Sequence, residues 1–321
     1  MSITGRLSRA FVCAVLLSVG SAVVCSQEPA APTQTAAAPP ARIEVTLAGG
    51  KGRAAPELTK EDLRVYVDGV ERPVVSFEKQ AQPVSYGLVV DNSGSLRSQM
   101  GQVVAAAKFL VDHGGPDDEA FVLRFVASDR IDVLQPLTAD KGALHRALDS
   151  MYVEGGYTAV LDALHDAGKY LTKSAGRAGA QGRRLVLVLI TDGEDRGSSS
   201  KANEVLKLLK DGGVQVFCVG LTAELESVPT FTKLNKRDKA KDLLSKVAEE
   251  TGGRVFYAEK GGELEAAVRD VAGGMRTRYV VGYAAPEPVA GGQGKVEVKV
   301  VGAPGKEKLK ARIVPPVEKR Q

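Results

Sequence analysis

The chain has 321 residues, with 43 Lys and Arg set against 39 Asp and Glu for a net charge of +4. Hydrophobic residues at 44% and charged residues at 26% are the proportions of an average soluble globular protein. They exclude wholesale disorder, a collagen and a polytopic membrane protein, and so small a positive excess gives no basis for a nucleic-acid binder.

With 35 Gly, no Trp and 5% aromatics, a core has to be assembled from Val, Leu, Ile and Ala, which suits strands buried on both faces. Three cysteines cannot make a disulfide scaffold. At the N-terminus Arg6 and Arg9 precede an apolar run from Phe11 to Val24, followed by Cys25-Ser26-Gln27. A short basic region, an apolar stretch and small residues before a cut describe a secretory signal peptide, here cleaved after Ser26. Cys25 leaves a second reading open, a lipoprotein whose lipidated first residue is that Cys, although Val24 departs from the small residue expected before it. In either case the chain is exported, periplasmic or secreted, with membrane contact only if Cys25 is lipidated. Residues 27–41, rich in Pro and Ala, read as a linker.

Residues 42–83 read as a β flank. Ile43, Val45 and Leu47 alternate with polar or small residues, as a half-buried strand requires. Thr59 stands three residues ahead of Asp62, a helix-start pattern. Arg64–Val67 is then a strand, Asp68-Gly69 a tight turn and Pro73–Phe77 the returning strand. From residue 84 to residue 283 the pattern changes to alternating strands and helices. Strands are expected at Tyr86–Val90, Ala120–Phe125, Ile131–Leu134, Arg184–Ile190, Val214–Val219 and Arg254–Tyr257. Helices are expected at Gln99–Val111, Lys141–Met151, Ala159–Leu171, Ala202–Lys210, Lys239–Glu250 and Glu263–Val271. Uninterrupted apolar strands between amphipathic helices imply an α/β, doubly wound, mostly parallel sheet covered on both faces. Strands return at Tyr279–Tyr283, Lys295–Val301 and Leu309–Val314. Too few and too short to form a core of their own, they are expected to join the N-terminal strands in a small sheet or sandwich, with residues 284–321 as the C-terminal flank.

In an open α/β sheet, ligands bind beyond the carboxyl ends of the strands. Asp91-Asn92-Ser93-Gly94-Ser95 follows one apolar strand, Thr191-Asp192-Gly193-Glu194-Asp195 another, and Gly155-Gly156-Tyr157-Thr158 precedes a helix. These segments carry carboxylates and hydroxyls without His or Cys, a hard-oxygen set that selects Mg²⁺, Mn²⁺ or Ca²⁺ over Zn²⁺. Taken singly, Asp91, Ser93 and Thr158 could equally cap the helices that follow them. Glu194 and Asp195 are rim charges or second-layer acids that hold water, or simply part of a solvated loop.

Asp-x-Ser-x-Ser after the first strand, Thr in a Gly-Gly-x-Thr loop and Thr-Asp-Gly after a central strand resemble the metal-ion-dependent adhesion site of von Willebrand factor type A domains. The resemblance covers about residues 84–283. The flanking segments Leu58–Gly69 and Arg278–Tyr283 resemble a bacterial exported subgroup called VWFA-related. It implies that Asp91, Ser93, Ser95, Thr158 and Asp192 hold a divalent ion, Mg²⁺ foremost. In the family the hydroxyls coordinate directly or according to state, the aspartates often act through water, and an acidic residue of the ligand completes the octahedron. The implied partner is a protein offering a carboxylate, and the implied role a non-enzymatic, adhesion-type binding module.

Two other readings stand beside it. One is a structural subunit of an envelope complex whose metal only stiffens the fold. The other is a metal-assisted hydrolase using Asp91, Asp192 and Glu194, although no positioned base, nucleophile or phosphate clamp accompanies them. His113, His145 and His165 lack metal-ligand spacing, and no nucleophile elbow or phosphate-binding glycine loop occurs. Cys218 reads as a buried small hydrophobe. The C-terminal lysines, among them Lys295 and Lys299, read as a solvated edge-strand face, and Thr222–Lys236 as a rim loop suited to partner contacts.

Overall fold

The computed structural model describes residues 40–49, 58–177, 182–225, 235–258, 262–284, 294–301 and 309–314. The signal segment, most of the linker, the middle of the 222–236 connection and Lys306, Lys308, Lys319 and Arg320 lie outside the described residues. No helix among the described residues is long and apolar enough to cross a membrane.

In chain order the flank contributes β1 (Ala41–Gly49), a 3-10 turn at Lys60–Asp62, β2 (Leu63–Val67), β3 (Val70–Arg72) and β4 (Val74–Ala81). The α/β part follows with β5 (Val84–Asp91), a 3-10 turn at Gly94–Leu96, α1 (Met100–Asp112), β6 (Glu119–Ala127), β7 (Arg130–Thr138), α2 (Lys141–Asp149) and α3 (Val160–Ala175). It continues through β8 (Arg184–Thr191), α4 (Ala202–Asp211), β9 (Val214–Gly220), a 3-10 turn at Thr222–Glu224, α5 (Lys236–Thr251), β10 (Val255–Tyr257) and α6 (Glu263–Gly274). Three more strands close the chain: β11 (Thr277–Tyr283), β12 (Val296–Val300) and β13 (Leu309–Val314).

Six strands form the central sheet in the order β10-β9-β8-β5-β6-β7. Every neighbouring pair is parallel except β6 and β7, so β7 is an antiparallel edge. Successive side chains of one strand enter opposite cores, as the period of two demands. Val186, Val188 and Ile190 of β8 pack with α1, α2 and α6, whereas Leu187 and Leu189 pack with α3, α4 and α5. All eight residues of β5 are buried, which explains why its sequence shows no polar alternation.

The flanks build a four-stranded sheet, β13-β1-β11-β4, and a three-stranded sheet, β12-β2-β3. Val45, Leu63, Val65, Tyr279, Val281 and Val298 from both sheets share one apolar core, and Phe77 stacks on Tyr279 with ring centroids 5.1 Å apart. The C-terminal strands therefore complete the N-terminal ones, as expected. β11, at the end of the 84–283 segment, is bonded to β1 and β4 and adds nothing to the parallel sheet.

One hairpin differs from the sequence expectation. The strand returning from Asp68-Gly69 is Val70–Arg72, with Val67 opposite Val70, not Pro73–Phe77. Asp68 (φ 50°) and Gly69 (φ 80°) both take positive φ, so a two-residue turn reverses the chain at once. Pro73, which has no N–H to give to a ladder, then marks the crossing into β4 of the other sheet. The Asp62 carboxylate accepts from the N–H (2.8 Å) and the hydroxyl (3.1 Å) of Thr59, so the expected helix start is present as a single 3-10 turn.

Candidate metal centre

β5 and β8 are neighbours in the middle of the sheet, and their carboxyl ends bring Asp91 and Asp192 to one rim. Asp91 is fully buried, as is Thr191, and Asp192 and Ser93 are nearly so. The Asp91 carboxylate accepts from the Ser93 N–H (2.9 Å) through one oxygen and from the Thr191 hydroxyl (2.6 Å) through the other. The Thr191 hydroxyl in turn accepts from the Gly193 N–H (3.0 Å). Ser93 and Ser95 hydroxyls are 3.0 Å apart, and Asp192 is hydrogen-bonded by Ser95 and by the Glu194 N–H at 2.9 Å. Four of the five expected residues thus stand in one continuous network of hydrogen bonds.

Thr158 arrives on a third loop, residues 151–158, that is tied to both of the others. Asn92 donates its side-chain amide to the Tyr152 carbonyl (3.0 Å), and the Glu154 N–H donates back to the Asn92 carbonyl (2.8 Å). The Thr158 carbonyl accepts from Arg196 (2.9 Å) and Gly197 (3.0 Å). Thr158 is buried, and its backbone is bonded to the segment that follows Asp192.

Asp195 accepts from the first N–H of α3, at Val160 (2.9 Å), and Ser198 accepts from those of Leu161 (3.0 Å) and Asp162 (3.2 Å). With those donors occupied, α3 has no need of the Thr158 hydroxyl as a cap. Ser93 makes no side-chain cap to the turn that follows it, and the Asp91 carboxylate is engaged by the Ser93 N–H and the Thr191 hydroxyl.

The acids beside the site are also placed. Glu194 is paired with Arg196 and, at 3.9 Å, with Lys236. Asp195 is engaged by Ser198 (2.6 Å) as well as by α3. Neither is a free acid on a solvated loop. Burial would raise the Asp162 carboxyl, yet donors from Ser128, Ser199 (2.8 Å) and Ser200 (2.8 Å) outweigh it and hold it at about 2. Asp162 therefore anchors the backbone at Ser199 and Ser200.

Electrostatically the centre is dominated by burial, and the charge of Arg196 only partly offsets it at Asp192. Burial, reinforced by the charge of Asp192, pushes the Asp91 carboxyl up to about 7. Burial likewise raises Asp192. Neither aspartate forms an ion pair among the described residues, and the buried Asn92 Oδ1 finds no hydrogen-bond partner there. Uncompensated buried carboxylates are costly, and a hard divalent cation reverses that cost. Two carboxylates and three hydroxyls fit Mg²⁺ or a similar ion. Among the described residues no three His, Cys, Asp or Glu side chains cluster to offer a softer or more acidic site.

Residues 87–270 match the family model of the von Willebrand factor type A domain. The chain belongs to that family. Among solved structures, a von Willebrand factor type A protein from Catenulispora acidiphila is 15% identical at a TM-score of 0.50, covering 88% of this chain and 73% of that one. The conserved hypothetical protein BatB from Bacteroides thetaiotaomicron is 18% identical at a TM-score of 0.46, with 59% of this chain and 97% of that one covered. The pilus adhesin SpaC from Lactobacillus rhamnosus GG is 14% identical at 0.48, with coverages of 78% and 42%. At 15% identity the Catenulispora acidiphila match speaks to the fold alone. No curated protein matches the chain.

Within this von Willebrand factor type A domain, sequence reasoning passed over three residues that hold the rim. Thr191 links the two aspartate loops, Asn92 pins the Thr158 loop, and Ser198 caps α3. Thr191 lay within the Thr-Asp-Gly motif, but its role depends on β5 and β8 being adjacent. The Gly193 backbone has φ of 81°, and a Cβ there would stand 2.9 Å from Leu244, so the motif's glycine is required twice over. The histidines take no part in the centre: His113 stacks on Phe109, and His145 and His165 face Asp112 and Asp166. Cys218 is fully buried, and burial pushes its thiol upward. Lys295 pairs with Glu297 (2.8 Å) and Lys299 lies over the Tyr66 ring, so these C-terminal lysines cover strand faces.

Proposed function

We propose that the chain is an exported, non-enzymatic capture module that grips an acidic group of a partner protein through a divalent cation. Family membership supports a protein-interaction module. The observation carrying the finer reading is the buried pair Asp91 and Asp192, surrounded by hydroxyl and N–H donors and without an ion-pair partner among the described residues. Asp91, Ser93, Ser95, Thr158 and Asp192 would hold the ion, Mg²⁺ in the first instance. When bound, it supplies an electrophilic position for a carboxylate oxygen of the partner. The residues do the rest. Asp91 and Asp192 provide the compensating charge, Thr191 and Ser93 orient Asp91, and the 151–158 loop brings Thr158 within the group. Glu194, which a hydrolytic reading would need, is neutralised by Arg196 and Lys236.

Export rests on the N-terminal pattern of Arg6, Arg9 and Phe11–Val24. Mass spectrometry of the mature N-terminus separates a cut after Ser26 from a lipid on Cys25.

Isothermal calorimetry tests the centre. Asp91→Ala abolishes Mg²⁺ binding while far-ultraviolet circular dichroism stays native; retained binding would overturn the assignment. Capture of a partner that survives EDTA would instead favour a metal that only stiffens the fold.

A further inference from the structure

Five large hydrophobic residues are exposed among the described residues, and three of them, Val70, Val75 and Val133, lie apart on strands. The other two are both aromatic and share the loop that carries Thr158: Tyr152 is 54% exposed and Tyr157 72%. An exposed tyrosine on a mobile loop would need no explanation, but this backbone is fixed. Across its first half the Asn92 side-chain amide donates to the Tyr152 carbonyl and the Glu154 N–H donates to the Asn92 carbonyl. Arg130 pairs with Glu154 at 2.8 Å, and the Thr158 carbonyl is held by the N–H groups of Arg196 and Gly197. Gly197 packs so closely that a Cβ there would stand 2.5 Å from the Tyr157 carbonyl oxygen. The Arg124 guanidinium lies over the Tyr152 ring at 4.7 Å and holds that ring in place as well. Rigidly presented tyrosines contribute contact area at little entropic cost, which is why they dominate recognition surfaces.

We infer that Tyr157, with Tyr152 beside it, determines specificity at the proposed carboxylate-capture site, by receiving an apolar or planar residue adjacent to the captured acid in an extended segment of a partner protein. This rests on the proposed function for the acid itself. The occupant is a polypeptide because Gly155, exposed and with open space where a side chain would stand, lies between Tyr152 and Tyr157 along the loop, whereas Gly156 turns its missing side chain inward against Arg130 and Val126. A position open in this way lets a second main chain approach and pair with the loop's peptide groups, while Tyr157 accepts a residue flanking the acid.

The test selects short random peptides with one fixed central aspartate on the full chain in Mg²⁺. Enrichment of proline, aromatic or aliphatic residues next to the aspartate is expected. Tyr157→Ser should weaken the selected peptides about 10-fold or more, Tyr157→Phe should keep them within about 2-fold of the parent, and both should bind Mg²⁺ as the parent does. Peptide affinity unchanged in Tyr157→Ser overturns the inference, as does selection of no peptide when uronic-acid oligosaccharides bind through Tyr157. Peptides that depend on Tyr157 but bind equally in EDTA would support the tyrosine surface and sink the metal reading, so the two fail separately.

Discussion

The two ends of the central sheet treat buried acids in opposite ways. At the amino end Asp118, almost fully buried, receives two hydrogen bonds from Arg276 (2.6 and 2.9 Å) and others from the N–H groups of Val84 (3.0 Å) and Gly115 (2.8 Å). Glu119 beside it is paired with Arg177 and Arg183 and accepts from Ser85 at 2.6 Å. At the carboxyl end Asp91 and Asp192 receive only hydroxyl and amide donors. The same sheet thus neutralises its acids with arginine where they fasten the structure and leaves them unneutralised where a ligand is expected. Buried acid alone does not mark a site, since Asp162, held by serine hydroxyl and N–H donors, fastens a loop. What sets Asp91 and Asp192 apart is that burial raises both carboxyls at one rim without an ion pair among the described residues.

This contrast predicts opposite responses to removing a carboxylate. The largest effect is expected at the amino end, where Asp118→Ala strands Arg276 and lowers unfolding stability by about 3–5 kcal/mol, measured in urea, with Mg²⁺ affinity unchanged. Asp91→Asn should do the reverse, abolishing Mg²⁺ binding while raising the thermal midpoint in EDTA above neutral pH. A lower midpoint would mean that Asp91 is structural.

Next comes Thr191, which joins the two loops. Thr191→Val removes a donor to a buried carboxylate, expected to cost about 1.5–3 kcal/mol and about 10- to 100-fold in metal affinity. Thr191→Ser should recover most of both. Equal metal binding in the valine variant would remove Thr191 from the centre.

The pH dependence follows in size. The folded Asp91 carboxyl keeps its proton up to about 7, whereas in the unfolded chain it ionises near ~4. Its contribution to the metal-free fold is therefore complete in acid and is lost as pH rises through 7. Melting in EDTA should show this decline, and Asp91→Asn should flatten it. The smallest effect is expected for Asp195→Ala, about 1 kcal/mol from the lost cap on α3, with Mg²⁺ binding little altered.

Much of this was legible in the sequence because the relevant signals are local. Unbroken apolar runs at residues 86–90 and 185–190 announce central parallel strands, and a chemically uniform motif follows each. The hidden parts depend on partners remote in the chain. Asp118 and Arg276 stand 158 positions apart, and Asp195 meets the start of α3 35 positions earlier. Nothing in a window around Thr191 indicates that its hydroxyl reaches Asp91, 100 positions away. The hairpin at Asp68-Gly69 is a different case, since the turn residues are legible and the partner strand is not. Its returning strand ends at Arg72, and the apolar run beyond Pro73 belongs to the neighbouring sheet.

The strand order of the flanking sheet has a mechanical consequence. β4 leads into the α/β domain and β11 leads out of it, and they are adjacent, with Ala81 opposite Thr277. The domain is therefore spliced between two paired strands, and its own ends are stapled together. The outermost pairing joins β1 to β13 in antiparallel register, Glu44 opposite Val314. Tension between the two ends of the chain would open this ladder one rung at a time, like a zipper, before it reached the inserted domain. Load applied to the chain ends would thereby be taken up by the flanking sheet before it reached the rim carrying Asp91 and Asp192.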